Sequence, residues 1–187
     1  MLKKALSYFS MLEKMLWCLS LTLIITAFLL FDRENLLTLF ASIIGVTSLI
    51  FNAKGNPFGQ VLMIIFSILY GIISFSFAYF GEMITYLGMT MPMAVFALIA
   101  WLRNPYKENK SEVKVNSIGA KEVVFMFLLT AFVTFVFYFI LDYFNTANMF
   151  FSTLSVFTSF IAAYLTFRRS PYFALAYAAN DVVLIIL

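Results

Sequence analysis

Tyr177, Asn180 and Asp181 stand in one apolar run, spaced so that a phenol ring, a carboxamide and a carboxylate share a helix face. The amide offers donors and an acceptor, the carboxylate accepts from hydroxyls, and the ring stacks on a flat heterocycle. That set suits the reversible holding of a neutral or cationic nucleoside-like solute. It equally suits a hydrogen bond between two helices, and the residues alone leave both readings open. Asp181 is the one acid well inside an apolar run, where an ionisable group is expensive and points to function. Gln60, Ser67, Tyr70 and Ser74 form a comparable stripe on an earlier run, with Gln60 near its start as a cap or gate residue. Glu82, Tyr86 and Thr90 precede Pro92, which lacks an N–H and kinks the helix it sits in. Glu82 is expected at the outer interface, with Tyr86 and Thr90 toward a pathway. Tyr164 lies one turn before Arg168, an interfacial anchor at the end of its run.

Bond-making chemistry finds little support. The chain has no His and 1 Cys, which excludes His-held zinc or haem, Ser-His and Cys-His nucleophiles and an intramolecular disulfide. Cys18, inside an apolar run, reads as a packing residue. HExxH, GxSxG and P-loop motifs are absent. Asp142 and Asp181 are the only acids near membrane depth, and nothing brings them together as a protease pair. The sequence reads as that of a non-enzyme with no cofactor.

The elements that must position these residues are membrane helices. Of the 187 residues, 64% are hydrophobic and 11% charged, against about 25% charged in soluble domains. A crossing needs about 20 mostly apolar residues, and seven runs qualify: 15–31, 36–51, 58–80, 83–102, 123–141, 149–167 and 171–187. Breaks fall at Asp32 to Asn35, Asn52 to Pro57, Gly81-Glu82, Arg103 to Glu122, Asp142 to Asn148 and Arg168 to Ser170. The runs lack the alternation of barrel strands, so they are read as helices. Lys3, Lys4 and Lys14 imitate the basic start of a signal peptide, but no small-residue cleavage pattern follows, so the first run is expected to be retained. The seventh run reaches Leu187 without a polar tail and reads as trimmed there or continuing beyond it.

With alternating spans, 11 of the 12 basic residues share one side: Lys3, Lys4, Lys14, Lys54, Arg103, Lys107, Lys110, Lys114, Lys121, Arg168 and Arg169, with Arg33 opposite. The positive-inside bias then puts the N-terminus in the cytoplasm and the C-terminus outside. These charges read as topological markers and lipid-headgroup contacts, with no surface for nucleic acid. The alternating Lys and Glu of the 103–121 loop suggest a solvated linker.

An offset of 114 residues lays the second and third runs on the sixth and seventh without a gap. Asn56-Pro57-Phe58 falls on Ser170-Pro171-Tyr172, each proline in a first helical turn, and Lys54 falls on Arg168. Ala41, Gly45, Ser48 and Asn52 fall on Ser155, Ser159, Ala162 and Thr166, a stripe suited to close packing or to lining a polar path. The expected organisation is an all-α integral membrane protein with seven transmembrane helices in 3+1+3 order. Residues 1–81 and 123–187 form parallel three-helix repeats, 82–102 a linker helix and 103–122 a cytoplasmic loop, a construction found in transporters with a site near midplane.

Three features together resemble the PnuC family of bacterial vitamin-precursor transporters. They are the 3+1+3 order, Gly55-Asn56-Pro57-Phe58-Gly59 with Leu69-Tyr70 downstream, and Arg168-Arg169-Ser170-Pro171-Tyr172-Phe173-Ala174 through Asn180-Asp181-Val182-Val183. The resemblance implies a SWEET-like fold in the inner (plasma) membrane, a homotrimer with a pathway in each protomer, and uptake of nicotinamide riboside by facilitated diffusion. Phosphorylation by a cytoplasmic kinase would trap the product. The family's seventh-helix asparagine corresponds to Asn180. Trp17 and Trp101 lie away from the last two helices, so Tyr164, Tyr172 and Tyr177 would supply aromatic walls. Similar proteins carry thiamine, riboflavin or deoxynucleosides. The expected substrate-binding set is Asn180, Asp181, Tyr177, Tyr70, Ser67, Tyr86, Gln60 and Tyr164. Two further readings stand beside it: a substrate-capturing subunit of an ATP-driven vitamin importer, and a structural or sensory membrane protein whose polar stripes only join helices.

Overall fold

The computed structural model describes residues 8–106 and 109–186, so Lys3, Lys4, Lys107 and Leu187 lie outside the described residues. Among the described residues, six helices are long and apolar enough to cross a bilayer: α1 (Met11–Phe31), α2 (Leu36–Ala53), α3 (Phe58–Ser76), α4 (Phe80–Leu102), α5 (Ala120–Tyr143) and α6 (Met149–Phe167). A shorter apolar helix, α7 (Phe173–Ile186), follows. Between α4 and α5 lie two short antiparallel strands, β1 (Pro105–Tyr106) and β2 (Asn109–Val113).

Local chemistry sets the boundaries. A capping box starts α1 earlier than hydropathy suggests: Glu13 N–H donates to Ser10 Oγ at 3.3 Å and Ser10 N–H to Glu13 Oε2 at 2.7 Å. Asn35 Oδ1 caps α2 by accepting from Thr38 N–H. The expected break at Gly81-Glu82 moves to Phe77–Tyr79. There Ala78 takes a left-handed φ of 58°, and Tyr79 N–H closes α3 on the Ser74 carbonyl at 2.8 Å. Gly81 sits inside α4 instead, because a Cβ there would meet Thr146 Oγ1 at 2.5 Å and Leu141 Cδ2 at 2.8 Å; its absence admits the α5–α6 turn. The irregularity expected at Pro92 is a π turn, Tyr86–Thr90, in which Met91 N–H reaches back to the Tyr86 carbonyl. One wide turn absorbs the missing proline donor.

The duplicated pattern recurs bond for bond. Arg169 N–H donates to the Thr166 carbonyl at 3.0 Å as Gly55 N–H does to Asn52 at 2.9 Å, and Ser170 N–H to Leu165 as Asn56 N–H does to Phe51, both at 2.9 Å. Gly55 and Arg169 have left-handed φ values of 68° and 60°. Glycine takes that conformation freely and arginine takes it at a cost. The following residues turn alike, with Phe58 N–H on Asn56 Oδ1 and Tyr172 N–H on Ser170 Oγ. A basic residue after each turn's helix pairs with an acid in the first helix of its half, Lys54 with Glu13 at 3.3 Å and Arg168 with Glu122.

Helix α4 joins the halves, packing on α3 and on α6. Trp101, 1% exposed, donates its indole N–H to the Thr166 carbonyl at 2.8 Å. The largest apolar cluster belongs to α4, α5 and α6: Met89, Met126, Phe137, Leu141, Val156, Phe160, Tyr164 and Leu165. By contrast α1 has no buried residue and rests on α2 through contacts such as Trp17 Nε1 to Thr47 Oγ1. Leu128, Phe132, Phe135 and Phe139 of α5 point outward, as a lipid-facing surface requires.

The 103–119 segment is more than the solvated linker its charges suggest. Val113 N–H donates to the Gly55 carbonyl at 2.8 Å, Lys114 N–H to Asn104 at 2.9 Å and Asn116 N–H to Arg169 at 3.0 Å. Ile118 packs against the main core. Alternating charge concealed these contacts because backbone groups make them.

Close approach of α2 and α3 depends on Gly59, where a Cβ would sit 2.7 Å from the Asn52 backbone nitrogen. Gly59→Ala should cost about 1–3 kcal/mol, read as a lower unfolding midpoint in detergent. Gly88→Ala, which meets only Ile84 at 3.6 Å, should stay within about 0.5 kcal/mol of the parent.

Candidate functional site

Three groups of side chains make up the candidate site. The first is polar and belongs to α6 and α7. Asn180, 6% exposed, lies about 10 Å along α7 at ~1.5 Å per residue from Phe173. Its Oδ1 accepts from Thr158 Oγ1 at 2.7 Å and Ser159 Oγ at 2.9 Å. With that oxygen doubly occupied, the amide N–H groups are what Asn180 has to offer a solute.

The second group is aromatic. Tyr70 of α3 and Tyr86 in the π turn of α4 have ring centroids 4.3 Å apart, and Phe66 lies 5.6 Å from Tyr70 and 5.9 Å from Tyr86. Tyr86 ties the clusters together, because its hydroxyl lies within electrostatic reach of Tyr70, Glu82, Asp181 and Tyr177. The third group surrounds a central cavity lined by Gln60, Met63, Thr90, Met93, Ala94, Ala97, Ala163, Thr166 and Tyr177. Gln60, 2% exposed, donates from Nε2 to Asn52 Oδ1 at 2.9 Å. The cavity measures about 10 Å³, room for one water, whereas small-molecule pockets run to about 300–1,000 Å³. At that size this cavity is too small for a nucleoside-sized solute.

Of the expected set, Gln60 and Tyr177 line one cavity between the two halves, Tyr70 and Tyr86 form a ring pair on α3 and α4, and Asn180 is held at the α6–α7 contact within the second half. Asp181 is exposed on α7 beside this group, within reach of Tyr86 and Tyr177. Ser67 is fully buried, and its hydroxyl donates to the Met63 carbonyl of its own helix. Tyr164 stands apart in the core cluster of the second half, on the side of Glu122 and Arg168.

Phe66, Thr158, Ser159, Asn52 and Ala163 complete the neighbourhood. Phe66 was legible through the repeat, since 66 and 180 differ by the same 114 positions as 45 and 159. A Cβ on Gly45 would meet the Phe66 ring at 3.0 Å, while Ser159 bonds Asn180. Equivalent positions therefore hold an aromatic contact in one half and a polar one in the other. A larger groove of about 480 Å³ runs along the outer surface of α5 and α6, lined by Thr134, Tyr138, Met149, Phe150, Thr153, Leu154 and Phe157. It contains none of the expected site residues.

The architecture defines a polytopic helical membrane protein of two three-helix halves joined by one helix. The family model for the nicotinamide mononucleotide transporter matches residues 35–187, and the chain belongs to this family of membrane transporters. Its fold is similar to that in a crystal structure of the vitamin B3 transporter PnuC, with a TM-score of 0.79 and 19% identity over 95% of this chain and 76% of that one. No protein of curated function matches the sequence.

Asn180→Ala removes the acceptor shared by two hydroxyls and should lower stability by about 1–2 kcal/mol in unfolding titrations. Ser159→Ala, which leaves Thr158 in place, should cost less.

Proposed function

We propose that this transporter carries nicotinamide riboside into the cell by facilitated diffusion, with phosphorylation by a cytoplasmic kinase preventing its return. The observation that carries this reading is the chemistry of the cavity wall, where the Gln60 amide and the hydroxyls of Thr90, Thr166 and Tyr177 stand among apolar side chains with no Lys or Arg, and Tyr177 connects it to the Tyr70–Tyr86 pair through Tyr86. A mononucleotide brings a phosphate, which at this depth calls for a bidentate or point-charge cation. The basic residues that could supply one, Lys54, Arg168 and Arg169, lie in the turns at the helix ends. A nucleoside needs no such partner. Its base would lie against Tyr70, Tyr86 and Phe66, and its ribose hydroxyls would accept from Asn180 and Gln60. Asp181 would complement a pyridinium charge.

In this reading the N-terminus and the basic turns face the cytoplasm of a bacterial cell, in the inner membrane, and the protein works as a homotrimer. One mid-span acid and no His give no proton relay, which supports uniport.

Calorimetric titration of the detergent-purified protein tests the reading. Nicotinamide riboside should give saturable heat, nicotinamide mononucleotide should bind at least about tenfold more weakly, and folded Tyr86→Leu should lose most of the affinity. Equal affinity for the mononucleotide, or saturation by thiamine, riboflavin or a deoxynucleoside instead, overturns the substrate. Uptake of the riboside into proteoliposomes should continue in the presence of an uncoupler.

A further inference from the structure

The segment leaving α4 touches both repeated turns at corresponding atoms. Gly55 and Arg169 are 114 positions apart, each follows its helix with a left-handed φ, and each presents its carbonyl to the same strand of chain. Val113 N–H takes the first and Asn116 N–H the second. The two donors are three positions apart, and an extended chain covers at most about 3.6 Å per residue, so the turns are held within a short, fixed span.

The two attachments are unequal. Beyond Val113 the chain belongs to the second half: Asn116 holds Arg169, Ile118 is in the main core, and Glu122 pairs with Arg168. Up to Val113 it is tied to the residues just past α4 through the β1–β2 pairing, and the next residue, Lys114, still donates its N–H to the Asn104 carbonyl there. Helix α4 is itself anchored to α6 by Trp101 on Thr166. Val113 N–H to Gly55 O is a backbone bond by which this segment grips the α2–α3 turn, and Val113 Cγ1 lies 3.3 Å from where a Gly55 Cβ would stand.

We propose that the Gly55–Val113 contact is the clasp of the gate on the basic face, broken each time the central cavity opens to that side. The inference rests on the reading above that solute leaves toward this face. The cavity must grow from about 10 Å³ to admit a solute, and its wall includes Gln60, at the start of α3 directly after the clasped turn. Parting the halves on this face moves the α2–α3 turn away from α4 and α6, and the clasp spans that boundary. Glycine at 55 suits the task, because it holds φ 68° without strain and leaves its carbonyl unshielded for Val113.

Two variants on a Cys18→Ser background test this. Gly55→Cys with Val113→Cys puts the new Cβ 3.3 Å from the position of Val113 Cγ1, within reach of a disulfide, and the reduced protein serves as the control for the strain of a side chain at φ 68°. When oxidised, this protein in proteoliposomes should lose at least about nine-tenths of its uptake, and reduction should restore it. Val113→Pro deletes the donor, and a second reporter, Ala97→Cys in the cavity wall, should then react about tenfold faster with a soluble thiol reagent in detergent. Undiminished uptake by the fully oxidised pair overturns the clasp, as does unchanged labelling of Ala97→Cys in the proline variant. If the parent carries no nucleoside yet Val113→Pro speeds the labelling, the substrate assignment fails and the clasp stands.

Discussion

In a hydrocarbon medium there is no water to take up a stray N–H or C=O, so each backbone group must find a partner within the chain. That constraint decides the architecture from the helices down to single turns. It makes each span helical, and it makes the connections short and internally bonded. Asn52–Pro57 and Thr166–Pro171 close on themselves through matching pairs of backbone bonds before the chain re-enters the membrane. Pro92 is accommodated by widening one turn over Tyr86–Thr90.

The same constraint governs the polar side chains. Asn52 with Gln60, Asn180 with Thr158 and Ser159, and Trp101 with the Thr166 carbonyl are each paired across a helix boundary. In the closed state these groups satisfy one another and hold the helices together. On the transport reading proposed above, a solute with hydroxyls and an amide would offer replacement partners as the helices part, lowering the barrier to opening without leaving an orphan in lipid. On that reading the two roles left open by the Tyr177-Asn180-Asp181 spacing, binding and helix-joining, would be successive states of the same groups, and the structure shows Asn180 in the helix-joining one.

Hydropathy was enough to find the helices, because a crossing's length is set by the bilayer and the runs are separated by charge, Pro or Gly. It misjudged details governed by local bonds. Ser10 and Glu13 start α1 early, and Ala78, a residue with no turn preference, ends α3. Gly81 looked like a break and proved to be a packing surface, since a missing side chain carries no label saying which role it serves. In the candidate site the amide and the tyrosines were visible as exceptions in an apolar background. Phe66 was hidden among 24 phenylalanines and emerges only through its repeat partner. The Val113 and Asn116 contacts were invisible in principle, because amide groups belong to every residue and leave no trace in composition.

The bare surface of α1 has a consequence for how the molecule is assembled. Everything this helix shows is directed to lipid or to α2, whereas α5, its counterpart in the second half, gives Met126, Phe137 and Leu141 to the main cluster. During synthesis α1 enters the bilayer with α2 to rest on, while α2 and α3 can already close on each other through Gly59 and the Asn52–Gln60 pair. A translation product stopped after α4 would therefore keep its α2–α3 contact yet lack Met126, Phe137, Leu141, Val156, Phe160, Tyr164 and Leu165 of the main apolar cluster.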